Sequence, residues 1–349
     1  MGQQIIWGVL NWGLGHATRS TALIRRALKE SFEVTLASDG EALDWLRREF
    51  PQLPYLRLPS YHIRYRYPRW PLWNYGRLLP GIYRAARQEQ AQLRQYLHQH
   101  PASYVISDNR LGFHHSAVPS LYLSHQLQVP FGKWSTLTSW AHRHFYRHFQ
   151  QVLIPDAPAL QLSGKLGQPL DSRQKVAYTG ILSHLSSLEE SSLMPDSSAV
   201  LILLSGPEPQ RSIWEQQLAR QVRYVHENII VVGARAPHLW PAQVYTHPVL
   251  NSAALSRLIK AAPVVVSRSG YSSLMDYALL AKKALLIPTP GQGEQEYLAR
   301  HVSARGWYAV MTQEDLDLPK GLEEALNKPG IAPEELPEEV SFTSLVAGW

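Results

Sequence analysis

The 349-residue sequence contains no cysteine. Disulfide scaffolds, cysteine-ligated zinc, iron–sulfur clusters and thiol nucleophiles are therefore excluded, while the redox compartment stays open. Long apolar runs are also missing: the longest, such as 199–204, are strand-length and far short of a bilayer span. The opening Met-Gly-Gln-Gln-Ile-Ile lacks the basic start and apolar stretch of a secretory signal, and Ile6 stands where a myristoylation signal needs Ser or Thr. A cytoplasmic protein is expected. Acidic residues are scarce in one region: residues 51–150 hold 12 Lys or Arg against 2 Asp or Glu, a local +10 in a chain of net charge +6.

What is present is enough apolar material for substantial cores, with 45% of residues hydrophobic and 18% charged over a length that suits two domains. Short β-rich runs alternate with helical-period stretches, the pattern of parallel sheets covered by helices. Strands are expected at 5–10, 33–38, 55–58, 104–107, 120–124 and 152–154, and helices near 16–30, 83–98 and 134–150. The polar stretch 163–174, with Gly164, Gly167 and Pro169, reads as a linker. The pattern then restarts, with strands at 176–179, 200–204, 229–232, 244–246, 264–267, 285–287 and 308–310. Helices are expected near 211–225, 252–262, 272–281 and 294–304. The expected fold class is α/β, with two Rossmann-like, doubly wound parallel-sheet domains over 1–162 and 175–328 facing a cleft. From Glu314 onward nine acids face only Lys320 and Lys328, so a solvated surface and an acidic tail over 329–349 are expected.

The basic excess peaks in Tyr61–Leu79, where Arg64, Arg66, Arg69 and Arg77 interleave with Tyr61, Tyr65, Tyr67, Trp70, Trp73 and Tyr75. Arginine with aromatics suits anionic partners, and a peripheral contact with an anionic membrane surface on the inner face is expected. A non-enzymatic polyanion-binding protein is the alternative from another class. No RNA-binding aromatic motif or basic recognition helix supports it, and nucleic acid is not an expected partner.

Two strings carry chemistry. Asn11-Trp-Gly-Leu-Gly-His16 lies between the first strand and its helix. Gly13 and Gly15 allow positive φ and close backbone approach, and the helix start offers free amides. A nicotinamide fingerprint would need Gly or Ala where Thr18 stands, although Asp39 could mimic its ribose-binding acid. His16 sits where this architecture places a base, and a second strand ends at Asp108-Asn109-Arg110, bringing a carboxylate that could orient the ring. Asp108 capping a turn or pairing with Arg110 is the plainer reading.

The second string runs Ser267-Arg-Ser-Gly-Tyr-Ser-Ser-Leu-Met-Asp276, followed by Pro288-Thr-Pro-Gly-Gln-Gly-Glu-Gln-Glu296. A strand delivers Arg268 and Ser269, and Gly270 turns the backbone into a helix whose first amides, through Tyr271, Ser272 and Ser273, suit a diphosphate. Asp276 could accept hydrogen bonds from ribose hydroxyls, while Gln292, Gln295 and Glu296 offer the donors and acceptors that sugar hydroxyls need. Ser205-Gly206 forms a further glycine turn after a strand. The sole Asp-x-Asp, Asp315-Leu-Asp317, lies in the acidic terminal region, and neither a metal nor an organic cofactor is expected.

GLGHATRS and SRSGYSSLMDYALLAKKALLIPTPGQGEQEYLARH resemble the GT-B glycosyltransferases. The similarity is to the family 28 branch, which contains the lipid II-forming N-acetylglucosaminyltransferase and the plant galactolipid synthases. The C-terminal string carries R-S-G-x(5)-E/D and then P-x(6)-Q. The resemblance implies that Asp276 stands for a ribose-binding glutamate, that Gln295 matches a glutamine on the donor sugar, and that Glu296 replaces a second glutamine. It further implies that His16 is a loop histidine acting as base or phosphate contact, that Gly13 and Gly15 are loop glycines, and that Leu250 meets the nucleobase. The implied activity is inverting transfer of a sugar from a nucleotide-sugar, expected to be UDP-linked, to a hydroxyl acceptor such as a glycolipid or envelope-glycan precursor. A UDP-sugar 2-epimerase of the same fold is the alternative enzyme.

Overall fold

The computed structural model describes residues 2–61, 71–129, 135–171, 173–185 and 199–347. Residues 62–70 of the arginine–aromatic segment lie outside the described residues. Of it, Tyr61 and the backbone of 71–79 are described.

The chain divides into two units, Met1–Leu182 with Glu338–Trp349, and Ser183–Pro337. The first holds β1 (Gln4–Val9), α1 (Leu14–Lys29), β2 (Glu33–Ser38), α2 (Gly40–Glu49), β3 (Tyr55–Arg57) and α3 (Pro71–Gln99). β4 (Tyr104–Asp108), β5 (Ser120–Leu123), α4 (Ser135–Tyr146), β6 (Gln151–Ile154) and β7 (Val176–Tyr178) follow. Its seven strands run in the order β3-β2-β1-β4-β5-β6-β7, and each neighbouring pair is parallel. Central strands such as β1 and β4 are buried almost throughout, which is why they read as continuous apolar runs rather than alternating ones.

The second unit holds β8 (Val200–Leu203), α5 (Gln210–Gln221), β9 (Ile229–Val232), β10 (Tyr245–His247), α6 (Ser252–Ala261) and β11 (Val265–Ser267). It continues with α7 (Tyr271–Leu279), β12 (Ala284–Leu286), α8 (Gly293–Ala304), β13 (Ala309–Val310) and α9 (Leu318–Leu326). The six strands run β10-β9-β8-β11-β12-β13, again parallel. Trp214, Val231, Val266, Leu285 and Leu322 meet in its core.

Two parallel α/β sheets are as expected, but the boundaries differ. The 163–174 stretch is no linker. The buried Asp156 carboxylate accepts from the amides of Leu162 and Ser163 at 2.9 and 2.7 Å, and the Leu166 carbonyl accepts from Leu127 at 2.7 Å. These bonds tie the polar stretch to the first sheet, and Val176–Tyr178 then pairs with β6 instead of opening the second sheet.

The acidic end is corrected too. α9 buries Leu318, Leu322 and Ala325 in the second unit and leaves Glu323 and Glu324 exposed. A last helix, α10 (Phe342–Val346), returns to the first unit. There Phe342 packs against Trp7 and Phe32, with ring centroids 5.9 and 5.0 Å away. The acids of this region mask the apolar faces of α9 and α10, and α2 is a further helix beyond those expected from the sequence.

Candidate active site

In a doubly wound sheet the strand order reverses at one point, and the carboxyl ends on either side splay apart to leave room for ligands. In the first unit that point lies between β1 and β4, where Val9 pairs with Asp108 and the Leu10 amide donates to the Asp108 carbonyl at 3.0 Å. Gly13, at φ 71°, starts α1 in a conformation that L side chains rarely adopt, and a Cβ there would meet open space. Gly15 and His16 follow in the first turn of α1.

His16 and Asp108 meet as expected, Nδ1 to Oδ1 at 2.8 Å. A carboxylate only accepts, so a neutral ring paired with Asp108 donates from Nδ1 and keeps its lone pair on Nε2; Arg19 Nη2 also lies 2.9 Å from Nδ1 and itself donates to Asp108 Oδ1. The His16 side chain is 12% exposed, while that of Asp108 is fully buried. The Asp108 carboxylate also accepts from Arg19 Nε at 2.8 Å, from Ser20 Oγ at 2.8 Å, and from a second arm of Arg19. Burial opposes its charge, but Arg19 and His16 outweigh that penalty and hold the carboxyl well below the usual carboxylate range. Arg19 continues to His125, just beyond β5, with Nη1 2.6 Å from Nδ1.

Arg110 does not line this site. Asn109 takes φ 57°, a left-handed turn that asparagine tolerates, and Arg110 is fully buried elsewhere. Its Nε donates to Glu89 at 2.7 Å, and its Nη1 to Asp39 at 2.7 Å. Its Nη2 donates to the Pro59 carbonyl at 2.6 Å. The expected acceptor or phosphate contact is therefore corrected to a structural ion pair, since the guanidinium donors are spent internally. The same pairing occupies Asp39 and removes the ribose-mimic reading. Tyr61, read with the exposed basic segment, is buried, and its hydroxyl donates to Glu89 at 2.5 Å.

In the second unit the order reverses between β8 and β11. Ser205 and Gly206, both exposed, follow β8, and Arg268 to Ser273 follow β11. Gly270 has φ −70° and ψ 145°, extended backbone open to any residue, so conformation does not demand glycine there. A Cβ at Gly270 would meet nothing within 4 Å, which leaves the backbone at the start of α7 approachable. Ser272 and Ser273 are half-buried in the first turn, whereas the Tyr271 side chain is buried in the unit.

Arg268 is 2% exposed. Its Nη1 donates to the carbonyls of Ile287 and Pro288 at 3.1 and 3.2 Å, and its Nη2 to Gln313 at 2.7 Å. The guanidinium lies 4.1 Å over the Trp214 ring. Among the described residues no carboxylate pairs with it, and burial lowers its pKa to about 9. Among the described residues its Nε and the buried Thr289 Oγ1 lack hydrogen-bond partners, and both border the bare Cα of Gly206. A Cβ placed there would lie 3.7 and 3.5 Å from them.

Asp276, on α7, accepts from Ser183 Oγ at 2.5 Å and lies 3.9 Å from His184 Nδ1. Burial raises its pKa from the ordinary 3.8 to about 7, against the opposing hydrogen bond from Ser183. Gln292 caps α8 without a side-chain bond. Gln295 Oε1 accepts from the Thr289 amide at 2.8 Å, and Glu296 Oε1 from the Gly291 amide at 2.8 Å. One oxygen of each thus shapes the Pro288–Gln292 loop. Leu250 is half-buried beside Asn251, the α6 cap.

Sequence reasoning missed Arg19, Ser20, His125, Ser183, His184 and Thr289. The buried polar run Thr18-Arg19-Ser20-Thr21 on α1 was the available signal, because a helix resting on a sheet normally buries apolar residues there. Among the described residues no group of three or more His, Cys, Asp or Glu could hold a metal ion, and no helix is long and apolar enough to cross a membrane.

Two parallel sheets, each with polar groups gathered where its strand order reverses, are the fold of the GT-B glycosyltransferases. The spinosyn forosaminyltransferase SpnP matches with a TM-score of 0.70 over 100% of this chain and 98% of its own, at 12% identity. MurG of Acinetobacter baumannii matches with a TM-score of 0.59 over 93% and 91%, also at 12% identity. A model of the glycosyltransferase family 28 C-terminal domain matches residues 243–340, the stretch that carries Arg268 and Asp276. An uncharacterized glycosyltransferase of Methanopyrus kandleri is 23% identical over 336 residues, covering 90% of this chain and 91% of that protein. The chain accordingly has the GT-B fold, and residues 243–340 match the glycosyltransferase family 28 C-terminal domain.

Proposed function

We propose that the protein transfers a sugar, with inversion, from a nucleotide-sugar, expected to be UDP-linked, to a hydroxyl acceptor of glycolipid or envelope-glycan type. The observation that carries the donor reading is Arg268, a buried guanidinium without a carboxylate, bordered by an unpartnered hydroxyl and the open space over Gly206. Buried charge calls for a counter-charge, and a diphosphate supplies one. The approachable backbone at Gly270 to Ser273 supports the same ligand, and Asp276 supports a ribose diol.

In the first unit the lone pair on His16 Nε2 suits a general base. It takes the acceptor hydroxyl proton as that oxygen bonds to the anomeric carbon, while the bond from that carbon to the diphosphate oxygen breaks and the nucleoside diphosphate leaves with its electron pair. Asp108 orients the ring and offsets the charge of the imidazolium. Amides, the dipole of α7 and Arg268 stabilise the departing charge without a required metal or cofactor.

Thermal-shift titration with UDP, GDP and TDP tests the donor class, with selective stabilisation by UDP as the expected result. No stabilisation by any of the three would refute donor binding. Incubating the preferred nucleotide-sugar with and without candidate acceptors separates transfer from epimerisation, and the anomeric configuration of the product reads inversion. Tyr61–Leu79 supports a peripheral contact with anionic lipid, and flotation with anionic but not neutral liposomes is the expected outcome.

A further inference from the structure

Asp108 is the most heavily bonded carboxylate of the first unit's centre, and most of that bonding comes from a residue that the transfer step does not use. Arg19 lies three residues after His16, hence on the same face of α1. Its guanidinium straddles Asp108, Nε to Oδ2 at 2.8 Å and Nη2 to Oδ1, while Nη2 also lies 2.9 Å from His16 Nδ1. Nη1 is anchored by His125 at 2.6 Å, and the whole side chain is 3% exposed.

A buried carboxylate facing only a histidine has two ways to shed its charge. It can take up a proton itself, or it can hold its partner as imidazolium. Either outcome spoils a base: the first removes the acceptor that orients Nδ1–H, and the second fills Nε2. A guanidinium, charged at every accessible pH and shaped to meet both carboxylate oxygens, forestalls both.

We infer that Arg19 is a positioning residue of this centre: it meets both oxygens of Asp108 and so fixes the carboxylate that orients the His16 ring. The inference rests on the reading of His16 as the base. The charged and titratable groups around the ring fit it. Asp108 faces His16 from β4, Arg19 from its own helix, and His125 from beyond β5 through Arg19. Tyr122 on β5 is buried within the fields of both Asp108 and Arg19.

The test is 15N-histidine spectroscopy of the full chain, with kinetics alongside. In the wild-type protein at about pH 7.5, His16 is expected as one neutral tautomer with its proton on Nδ1. In Arg19→Gln the single tautomer gives way to a mixture of both, as the carboxylate loses its fixed orientation. The value of kcat falls by about tenfold or more, and KM for the donor is unchanged. Arg19→Lys restores the single tautomer in part, because the cation on Asp108 is kept.

Spectra and kcat of Arg19→Gln that coincide with wild type would overturn the inference and leave Arg19 a structural tie. Should that variant not fold, Arg19→Lys and the wild-type spectrum decide, since a wild-type ring with its proton on Nε2 is incompatible with the assigned role. His16→Ala separates the two readings. Turnover near wild type removes the base assignment, whereas the tautomer spectra report on Arg19 independently.

Discussion

The two strand-order reversals occupy equivalent places in their sheets and are furnished in opposite ways. In the first unit the charges are closed on one another: Asp108 meets Arg19, His16 and Ser20, and the neighbouring Arg110 meets Glu89 and Asp39. In the second they are left open. Among the described residues no carboxylate pairs with Arg268, and Asp276 has Ser183 at hydrogen-bond distance and His184 3.9 Å away. A closed network holds one side chain in one protonation state, which suits proton transfer. An open one has unspent electrostatic free energy for an incoming ligand, which suits binding.

The sharpest way to break this comparison is His16→Ala, expected to lower kcat by about 10²–10⁴-fold while leaving the nucleotide-induced thermal shift intact. Loss of nucleotide binding in that variant would show that the first unit's centre is not confined to proton handling. Asp276→Asn should do the converse, weakening nucleotide binding by about tenfold or more through a lost charged acceptor. It also carries a pH signature. The folded carboxyl keeps its proton up to about 7 and the unfolded one only to 3.8, so the folded state binds more protons between those values. Unliganded stability contributed by this group therefore falls as pH rises through that window, and Asp276→Asn should flatten the fall in a melting-temperature series.

A smaller effect is expected from Thr289→Val, which keeps the shape and removes the unpartnered hydroxyl. Calorimetry should show UDP binding weakened by about two- to tenfold with uridine unaffected, and equal effects on both ligands would argue against a diphosphate contact there. The smallest change in the fold is expected from Gly270→Ala, within about 0.5 kcal/mol of wild type in a denaturant melt, because its backbone is extended and its Cβ meets open space. Any larger loss would mean that this opening is not free.

Much of the molecule was legible in its sequence because parallel strands buried on both faces announce themselves as apolar runs, and glycine turns mark their carboxyl ends. His16 and Asp108 were found that way, each ending its own strand or opening the helix after it. Arg19 escaped because its partner is 89 residues distant and an arginine in a helix ordinarily faces water. Arg110 misled because adjacency to Asp108 in the chain suggested adjacency in purpose, and the left-handed Asn109 between them turns the two side chains to different work. The domain boundary was hidden by composition: the stretch after β6 is polar, yet Asp156 gathers its amides into the first sheet. The acidic end hid its helices similarly, since a tally of charge overlooks the apolar stripe of α9.

The return of α10 ties the autonomy of the first unit to the completion of the second. Residues 1–182 expressed by themselves would leave Trp7 and Phe32 without the ring of Phe342. During synthesis this apolar patch is sealed only after the second unit has been made, so a half-made chain is also an unclasped one.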